Sequence, residues 1–380
     1  MITKIFLMIT ITFLFVALVM PFVKKIAFHI GALDIPRDEE GHRHIHKKTT
    51  PKLGGLAIFF GFLLSYMIFG EPSGLMNSIL IGSFIIIITG MIDDVKSIRA
   101  REKFVGQLAA ASVVTIYGGL LLHDISAFGF YIDFGIFAYP ITIFFIVACI
   151  NCLNLIDGLD GLAGGISAIY FLTIGIISYI MGSLGLDVIL TFIMFGAVLG
   201  FLVHNFHPAT VFAGDSGSMF MGFMISVISL LGFKNVTLTS LIIPLLILAI
   251  PILDTLFAIL RRKLKGESIA NPDKSHIHHQ LLNMQFSYRT TVLIIYAIQG
   301  LFAIASIVYV LKDATLGYII YSILVIIVLW LVLKTDVVFN HDDLKERIKS
   351  FVKKWLCFCI IIFCLGIILL VILWRRNCLN

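Results

Sequence analysis

The sequence predicts an all-α, polytopic integral membrane protein with about eleven transmembrane helices, on three observations. Hydrophobic residues make up 59% of the 380 residues and charged residues only 13%, whereas a soluble domain keeps about 25% charged residues. The mean hydropathy is +1.05. The apolar residues also form runs of about 20, the length that a helix needs to cross a bilayer core. This composition excludes intrinsic disorder, a fibrous repeat and a secreted disulfide scaffold.

Residues 1–334 are predicted to form one transmembrane unit, because the apolar runs follow one another without a separate soluble domain. The candidate spans cover residues 5–23, 55–70, 76–92, 104–122, 137–153, 162–181, 187–204, 217–233, 238–260, 290–311 and 316–333. The first run is interpreted as a span rather than a signal peptide, because Lys24 and Lys25 follow it without an evident cleavage site. We expect Pro244 and Pro251 to kink the ninth span, which contains both.

Residues 335–380 are predicted to form a short cytoplasmic segment followed by an extra apolar helix. The apolar run at 355–374 is long enough to be a twelfth span. Arg375 and Arg376 would then lie outside the cell, against the positive-inside rule. A helix lying at the membrane interface is therefore the alternative.

The distribution of Lys and Arg predicts the orientation of these spans. Basic residues are concentrated in the loops at 24–52, 96–103 and 261–289, whereas the intervening loops contain only Lys234 and Lys312. Because basic loops stay on the cytoplasmic side, the N-terminus is predicted to lie outside. The net charge of +6 is explained by these short loops, so we expect no nucleic-acid partner.

An acidic pair, Asp93 and Asp94, ends the third predicted span. Adjacent carboxylates resist joint ionisation unless a cation is near, so the pair suits a divalent metal or one acid acting as a base. The alternative is a pair of solvated loop acids that interact with Lys96 or Arg99.

A second polar cluster follows the fifth span. Asn151, Asn154 and Asp157 recur every three residues, which places them near one helical face. Asp157 and Asp160 are each followed by glycine, which predicts a tight turn at this point. Asn and Asp offer oxygen ligands and hydrogen bonds to a base edge, and the alternative is a polar helix cap.

A third cluster surrounds Asp215 at the start of the eighth span. Gly214 and Gly217 bracket this acid, and Ser216 and Ser218 follow it. Small residues around an acid at a helix N-terminus are typical of a phosphate and metal site. Simple capping of the helix by Asp215 is the alternative.

A fourth cluster comprises His276, His278 and His279 in the loop before the tenth span. Three histidines in four positions could bind zinc, could donate hydrogen bonds to phosphates beside the neighbouring basic residues, or could form a solvated loop. The first loop adds a basic segment, 42–48, that contains His46. Attraction to anionic lipid headgroups is the alternative function of that segment.

Together the clusters offer oxygen ligands for a hard cation and donors for phosphates, on one face of a membrane. This combination indicates phosphoryl transfer between a soluble nucleotide and a lipid phosphate, with Mg²⁺ neutralising a pyrophosphate. A secondary transporter would instead place ionisable residues near the bilayer midplane. Asp254 is the main intramembrane exception, and it also lies toward the cytoplasmic end of its span. A non-catalytic scaffold would not need all four clusters on one face.

The motifs resemble those of the bacterial polyprenyl-phosphate N-acetylhexosamine-1-phosphate transferase family. The matching blocks are Pro51 to Gly55, MIDD at 91–94 with Lys103 and Gln107, NxxNxxDGLDGLAGG at 151–165, GDSGS at 214–218 and HIHH at 276–279. The resemblance implies transfer of a sugar 1-phosphate from a UDP-N-acetyl sugar to undecaprenyl phosphate, with release of UMP. It also implies a site on the cytoplasmic face of the bacterial inner membrane, and a homodimer is one option for its assembly.

The resemblance further implies roles for individual residues. Asn154 and Asp215 match magnesium-binding positions, where Mn²⁺ is an alternative, and Asp93 or Asp94 would deprotonate or position the lipid phosphate. The implied catalytic histidines are His276, His278 and His279, and the implied substrate-binding residues are His46, Lys103, Asn151, Asp157 and Asp160. The HIHH spacing is similar to the branch that uses GlcNAc, and QuiNAc, FucNAc or GalNAc remain alternatives.

Overall fold

The structure is a computed structural model that describes residues 2–35, 49–127, 130–183, 185–235, 242–264, 266, 276–311 and 314–334. The predicted site residue His46 and the C-terminal segment 335–380 lie outside these residues. The chain divides into two compact units, Met1–Ile327 and Val328–Asn380, and every site residue discussed below lies in the first.

The described part of the chain is almost entirely helical, which confirms the predicted fold class. The helices are α1 (Ile2–Ile30), α2 (Gly54–Phe69), α3 (Gly74–Val95), α4 (Ala100–Ser112), α5 (Ala138–Ile156), α6 (Leu162–Ile180), α7 (Leu186–Asn205), α8 (Gly214–Asn235), α9 (Ile242–Ile247), α10 (Ala249–Leu264), α11 (Ile277–Asn283), α12 (Tyr288–Leu311) and α13 (Ala314–Lys334). Among the described residues, seven helices are long and apolar enough to cross a membrane. The number of eleven spans stays a prediction.

Helix α8 forms the centre of the bundle. Of the residues in its apolar stretch 89% are buried, against 22% for α1, whose long apolar face is left for lipid. It packs against α2, α3, α5, α6 and α7. The ring of Phe220 lies edge-on to Phe59 and Phe62 of α2, at centroid distances of 5.6 Å in both pairs. The start of α8 is therefore held by several helices at once.

The ninth predicted span, which was expected to be kinked, is interrupted between its two prolines, although hydrogen bonds of helical spacing continue on both sides of Leu248. It divides into α9 and α10 at Leu248, between Pro244 and Pro251. The carbonyl of Ile247 at the break accepts a hydrogen bond from the amide of the buried Gln299 on α12. A neighbouring helix thus satisfies a backbone group that the break would otherwise leave unpaired in an apolar environment.

Two short antiparallel pairs of strands were not predicted. Strands β1 (Leu33–Asp34) and β2 (Thr50–Pro51) join the two ends of the first loop. Strands β3 (Asp124–Ala127) and β4 (Phe130–Asp133) form a hairpin before α5. Runs of two to four residues are too short for their periodicity to distinguish them from loop.

Candidate active site

The end of α3 caps the start of α8 through the carboxylate of Asp94. Its Oδ1 accepts a hydrogen bond from the backbone N–H of Asp215 at 2.7 Å. Its Oδ2 accepts from the N–H of Ser216 at 3.1 Å and from the Ser216 hydroxyl at 2.7 Å. Asp94 is only 8% exposed. Both of its oxygens are thus used in building the site, which gives Asp94 a structural function.

Close backbone contacts lock the Pro51–Gly55 motif to the loop before α8. Phe212 donates its N–H to the carbonyl of Pro51 at 2.8 Å, and Gly54 donates to the carbonyl of Phe212 at 2.9 Å. Gly214 has a φ of +71°, and a Cβ there would lie 2.1 Å from the carbonyl oxygen of Lys52. Glycine is therefore required at 214 both for its backbone conformation and for this close approach.

An acidic cluster, formed by Asp93, Lys103, Asn154 and Asp215, lies at the N-terminus of α8. The Nζ of Lys103 is 2.8 Å from Asp93 Oδ2 and 2.9 Å from Asp215 Oδ1. The amide of Asn154 donates to the same Asp215 oxygen at 2.6 Å. These side chains come from α3, α4, α5 and α8, so the structure brings four predicted site residues into direct contact.

The acidic cluster fits a magnesium ion by the chemistry of its donors. The ammonium of Lys103 lies between Asp93 and Asp215, which shows that the two carboxylates are arranged around one cation. No group of three or more His, Cys, Asp or Glu side chains in the described part of the chain could hold a metal alone. The two carboxylates nevertheless suit Mg²⁺, which usually keeps waters and takes further ligands from substrate phosphates. Asn154 here directs its amide nitrogen at Asp215 and Ser218, so its side chain would turn to offer the oxygen to an ion.

Asn151 contacts other protein groups in this structure. Its amide donates to Gln107 Oε1 at 2.7 Å and to the carbonyl of Val147 at 2.8 Å. The amide of Gln107 returns a longer hydrogen bond of 3.4 Å to Asn151. The pair joins α4 to α5, so Asn151 helps to hold Lys103 opposite Asn154.

Asp160 is likewise bound to the protein, at the turn after α5. Its Oδ2 accepts from His207 Nδ1 at 2.7 Å and from the backbone N–H of Ala209 at 3.0 Å. The ring of His207 stacks on Tyr288, with centroids 5.6 Å apart. Asp160 therefore attaches the turn to the loop that precedes Asp215.

The turn between α5 and α6 also presents Asp157. Burial and, to a smaller extent, the nearby carboxylates of Asp215, Asp94 and Asp160 together raise the pKa of this carboxyl to about 8. The free protein therefore keeps Asp157 largely protonated at neutral pH.

The histidine motif meets this turn at Gly158. A Cβ on Gly158 would lie 2.4 Å from His278 Nε2. His278 is 2% exposed, and within the described residues neither of its ring nitrogens has a hydrogen-bond partner. Burial and, to a smaller extent, the neighbouring His279 together lower the pKa of His278 to about 3. His278 is therefore a neutral group that can both donate and accept, rather than a cation.

Three residues that shape the turn at Asp160 and Gly161 were not predicted. Asn205 accepts from the N–H of Gly161 at 3.0 Å and donates to the carbonyl of Val211 at 2.9 Å. The hydroxyl of Tyr296 donates to the carbonyl of Gly161. The third residue is His207. For Asn205 and His207 the sequence offered a signal, because His204, Asn205 and His207 end an otherwise apolar span.

Carboxylates, a lysine and histidines gathered at the end of an apolar helical bundle are consistent with a membrane transferase, the class to which the protein's relatives belong. The family model described as Glycosyl transferase family 4 matches residues 76–233, from α3 into α8. A probable undecaprenyl-phosphate N-acetylglucosaminyl 1-phosphate transferase of Bacillus subtilis (strain 168) is 42% identical over 323 residues, which cover 84% of this chain and 88% of the relative. The chain belongs to glycosyl transferase family 4.

More distant relatives have related names. A decaprenyl-phosphate N-acetylglucosaminephosphotransferase of Mycolicibacterium smegmatis is 33% identical, with 74% of this chain and 76% of the relative covered. An undecaprenyl-phosphate alpha-N-acetylglucosaminyl 1-phosphate transferase of Escherichia coli (strain K12) is 31% identical, with 74% and 78% covered. These similarities confirm the family that the sequence motifs indicated.

Proposed function

We propose that the protein transfers N-acetylglucosamine 1-phosphate from UDP-GlcNAc to undecaprenyl phosphate, with release of UMP. The observation that carries this proposal is the acidic cluster, where Lys103 joins Asp93 and Asp215 at the start of α8. The names of the B. subtilis and E. coli relatives support the lipid acceptor and the sugar. The three basic loops support an active site on the cytoplasmic face of the bacterial inner membrane.

The reaction is a substitution at the β-phosphorus of the UDP-sugar. An oxygen of the lipid phosphate forms the new P–O bond, and the bond to the oxygen of the departing UMP breaks. Asp93 suits the role of positioning or deprotonating the lipid phosphate better than Asp94. Oδ1 of Asp93 accepts the backbone N–H of Ile98, but its Oδ2 is held by the side-chain ammonium of Lys103, whereas both oxygens of Asp94 are bound to the start of α8. Lys103 is long and flexible, so its ammonium can move from Asp93 to a phosphate oxygen.

We infer that Asp215 and Asn154 hold Mg²⁺, with Asp93 beside them, and that Mn²⁺ can replace it. The ion would neutralise the pyrophosphate and stabilise UMP as the leaving group. His278, with His276 and His279 beside it, supplies neutral donors for phosphate or sugar oxygens. Asp157 contributes to binding of the nucleotide, which we also expect of His46 in the first loop. Asn151 and Asp160 support binding indirectly by holding α4 and the loop before Asp215.

Transfer by purified protein tests this function directly. The substrate is UDP-GlcNAc with a radioactive β-phosphate, offered with undecaprenyl phosphate and Mg²⁺ in detergent. We expect the label in the lipid fraction and UMP in the aqueous fraction. Transfer of the sugar without its phosphate would release labelled UDP, and a transporter would cleave nothing, so either result contradicts the proposal.

Two variants with the same chemical change provide the matched comparison. Asp215→Asn should abolish transfer, because it removes a charge from the acidic cluster. Asp124→Asn, in the β3–β4 hairpin outside the site, should retain wild-type turnover.

A panel with UDP-GalNAc, UDP-QuiNAc and UDP-FucNAc then identifies the preferred sugar, and we expect UDP-GlcNAc to give the highest kcat/KM.

A further inference from the structure

Asp254 is a buried carboxylate in α10 that the reaction described above does not use. It is 1% exposed, and apart from Thr255 its neighbours along α10 are apolar. An unpaired carboxylate in such surroundings is strongly unfavourable, so its retention requires partners. Those partners both belong to the histidine motif.

Both oxygens of Asp254 bind the start of α11. Oδ2 lies 2.7 Å from Nδ1 of His276, and Oδ1 accepts a hydrogen bond from the backbone N–H of Ile277 at 2.8 Å. His276 is the N-cap residue of α11, but its own side chain makes no capping bond. Asp254 therefore supplies from α10 the acceptor that the first turn of α11 needs.

The same contact selects the tautomer of His276. A carboxylate oxygen at 2.7 Å from Nδ1 requires a proton on that nitrogen. Nε2 of His276 is then left as the nitrogen that can exchange hydrogen bonds with a ligand. Carboxylates that orient functional histidines act in this way at metal and catalytic sites.

The orientation of His276 is passed on to its neighbours by ring packing. The rings of His276 and His278 are parallel to within 3°, with centroids 5.7 Å apart. The rings of His278 and His279 are 4.3 Å apart. His278 in turn lies against Gly158. A rotation of His276 would consequently disturb the contact between the histidine motif and the turn after α5.

We propose that Asp254 is a positioning residue, which fixes the tautomer and orientation of His276 and thereby places the histidine motif against the substrate phosphates. This inference rests on the proposed function for its effect on catalysis. The structural part of the proposal is that His276 carries a proton on Nδ1, and this can be measured without any substrate.

The spectroscopic test uses isotope-labelled histidine ring nitrogens in the detergent-solubilised protein. The His276 resonances are identified by their loss in His276→Gln. We expect a proton on Nδ1 in the wild type and a loss of that preference in Asp254→Asn. A proton on Nε2 alone in the wild type would overturn the proposal, and this measurement decides even if Asp254→Asn fails to fold.

The kinetic test separates positioning from general destabilisation. Asp254→Asn should lower kcat at least about 10-fold, with a smaller change in the KM for UDP-GlcNAc. Asp187→Asn makes the same change at another buried acid, bound to Ser183 outside the site, and should keep its kcat. Equal losses of kcat in the two variants would overturn the proposal.

A double-variant cycle tests whether Asp254 acts through His276. Asp254→Asn should cause little further loss when it is added to His276→Gln, because the group it orients is already gone. Additive losses would show that Asp254 acts independently and would overturn the proposal. Failure of the wild type to transfer sugar phosphate would instead contradict the proposed function and leave the tautomer measurement as the test of Asp254.

Discussion

At the scale of single residues, Lys103 occupies the position of the proposed metal in the free protein and would compete with it. Its ammonium lies between Asp93 and Asp215, where it balances two carboxylates that would otherwise repel each other. A divalent cation bound to the same oxygens would compete with it. Lys103 therefore stabilises the free site and must move when the metal and the phosphates arrive.

Lys103→Gln tests this competition. The variant should lose transfer activity and should unfold at a lower temperature than the wild type in EDTA, because the two carboxylates then repel without a counter-ion. Added Mg²⁺ should raise its Tm by more than it raises the Tm of the wild type. An equal Mg²⁺ effect in both proteins, measured by thermal unfolding in detergent, would contradict the competition.

The raised pKa of Asp157 should make the stability of the fold depend on pH. Its pKa of about 8 in the folded protein lies above the unfolded value of about 3.9, so the fold holds this proton more tightly. The stabilisation that the protonated Asp157 gives the folded state is fully present below about pH 4 and is lost as the pH rises through about 8. In EDTA the Tm of the wild type should therefore fall over this window, and the Tm of Asp157→Asn should fall less. Parallel curves for the two proteins would show that Asp157 is not protonated in the fold.

At the scale of elements, the start of α8 is built by other parts of the chain. Asp94 of α3 caps it, and the Pro51–Gly55 motif packs against the loop before it. A Cβ on Gly90 of α3 would lie 2.3 Å from the Cα of Ser216. The position of Asp215 thus depends on a backbone-to-backbone contact between α3 and α8.

Asp94→Ala should reduce both stability and activity. It leaves two backbone N–H groups and the Ser216 hydroxyl without their acceptor, which costs roughly 2 kcal/mol or more of unfolding free energy. Asp133→Ala is the comparison, since Asp133 also accepts a backbone N–H, from Gly135, but in an exposed turn. A Tm of Asp94→Ala equal to that of Asp133→Ala would be inconsistent with a capping role.

Gly158→Ala should reduce activity through the histidine motif. The added methyl would lie 2.4 Å from Nε2 of His278 and would force the ring to move. We expect a loss of kcat, with the lipid substrate still bound. Gly300→Ala in α12, where a Cβ would meet no atom within 4 Å, should leave kcat unchanged. Equal kcat in both variants would mean that His278 does not need its present position.

At the scale of the whole molecule, the polar site residues occur at helix ends within an apolar bundle. Asp93, Asp157 and Asp215 lie at the end of α3, after α5 and at the start of α8, respectively. A soluble sugar nucleotide and a lipid phosphate can meet only where the bundle reaches a membrane surface. The basic loops predict that this surface is the cytoplasmic one.

Labelling of introduced cysteines in intact cells tests the orientation. Arg101→Cys lies on the predicted cytoplasmic side and Asp124→Cys on the opposite side. A membrane-impermeant maleimide should label Asp124→Cys in intact cells and should label Arg101→Cys only after the membrane is permeabilised. The reverse pattern would place the active site outside. The unaltered chain provides the background, because its described cysteines, Cys149 and Cys152, are buried or partly buried.

The limits of the sequence-based prediction are clearest at individual residues. The motifs predicted Asp94 as catalytic and Asn151 and Asp160 as substrate-binding, which stay predictions; their hydrogen bonds to other parts of the chain could not be predicted. Which acid of an adjacent pair faces the substrate depends on the rotation of α3 against α8. The contact of Tyr296 with Gly161 could not be predicted, because a single tyrosine within an apolar span forms no recognisable pattern.

The sequence by itself determined the membrane environment, the helices and their order, because lipid requires each span to be apolar and to satisfy its own hydrogen bonds. It also predicted which loops contain the polar clusters, because polar groups concentrate where helices reach water. Only the tertiary structure decided that Lys103 joins Asp93 to Asp215 and that Asp254 holds His276. These contacts link residues far apart in the chain, and packing between helices, which no local pattern encodes, sets their distances.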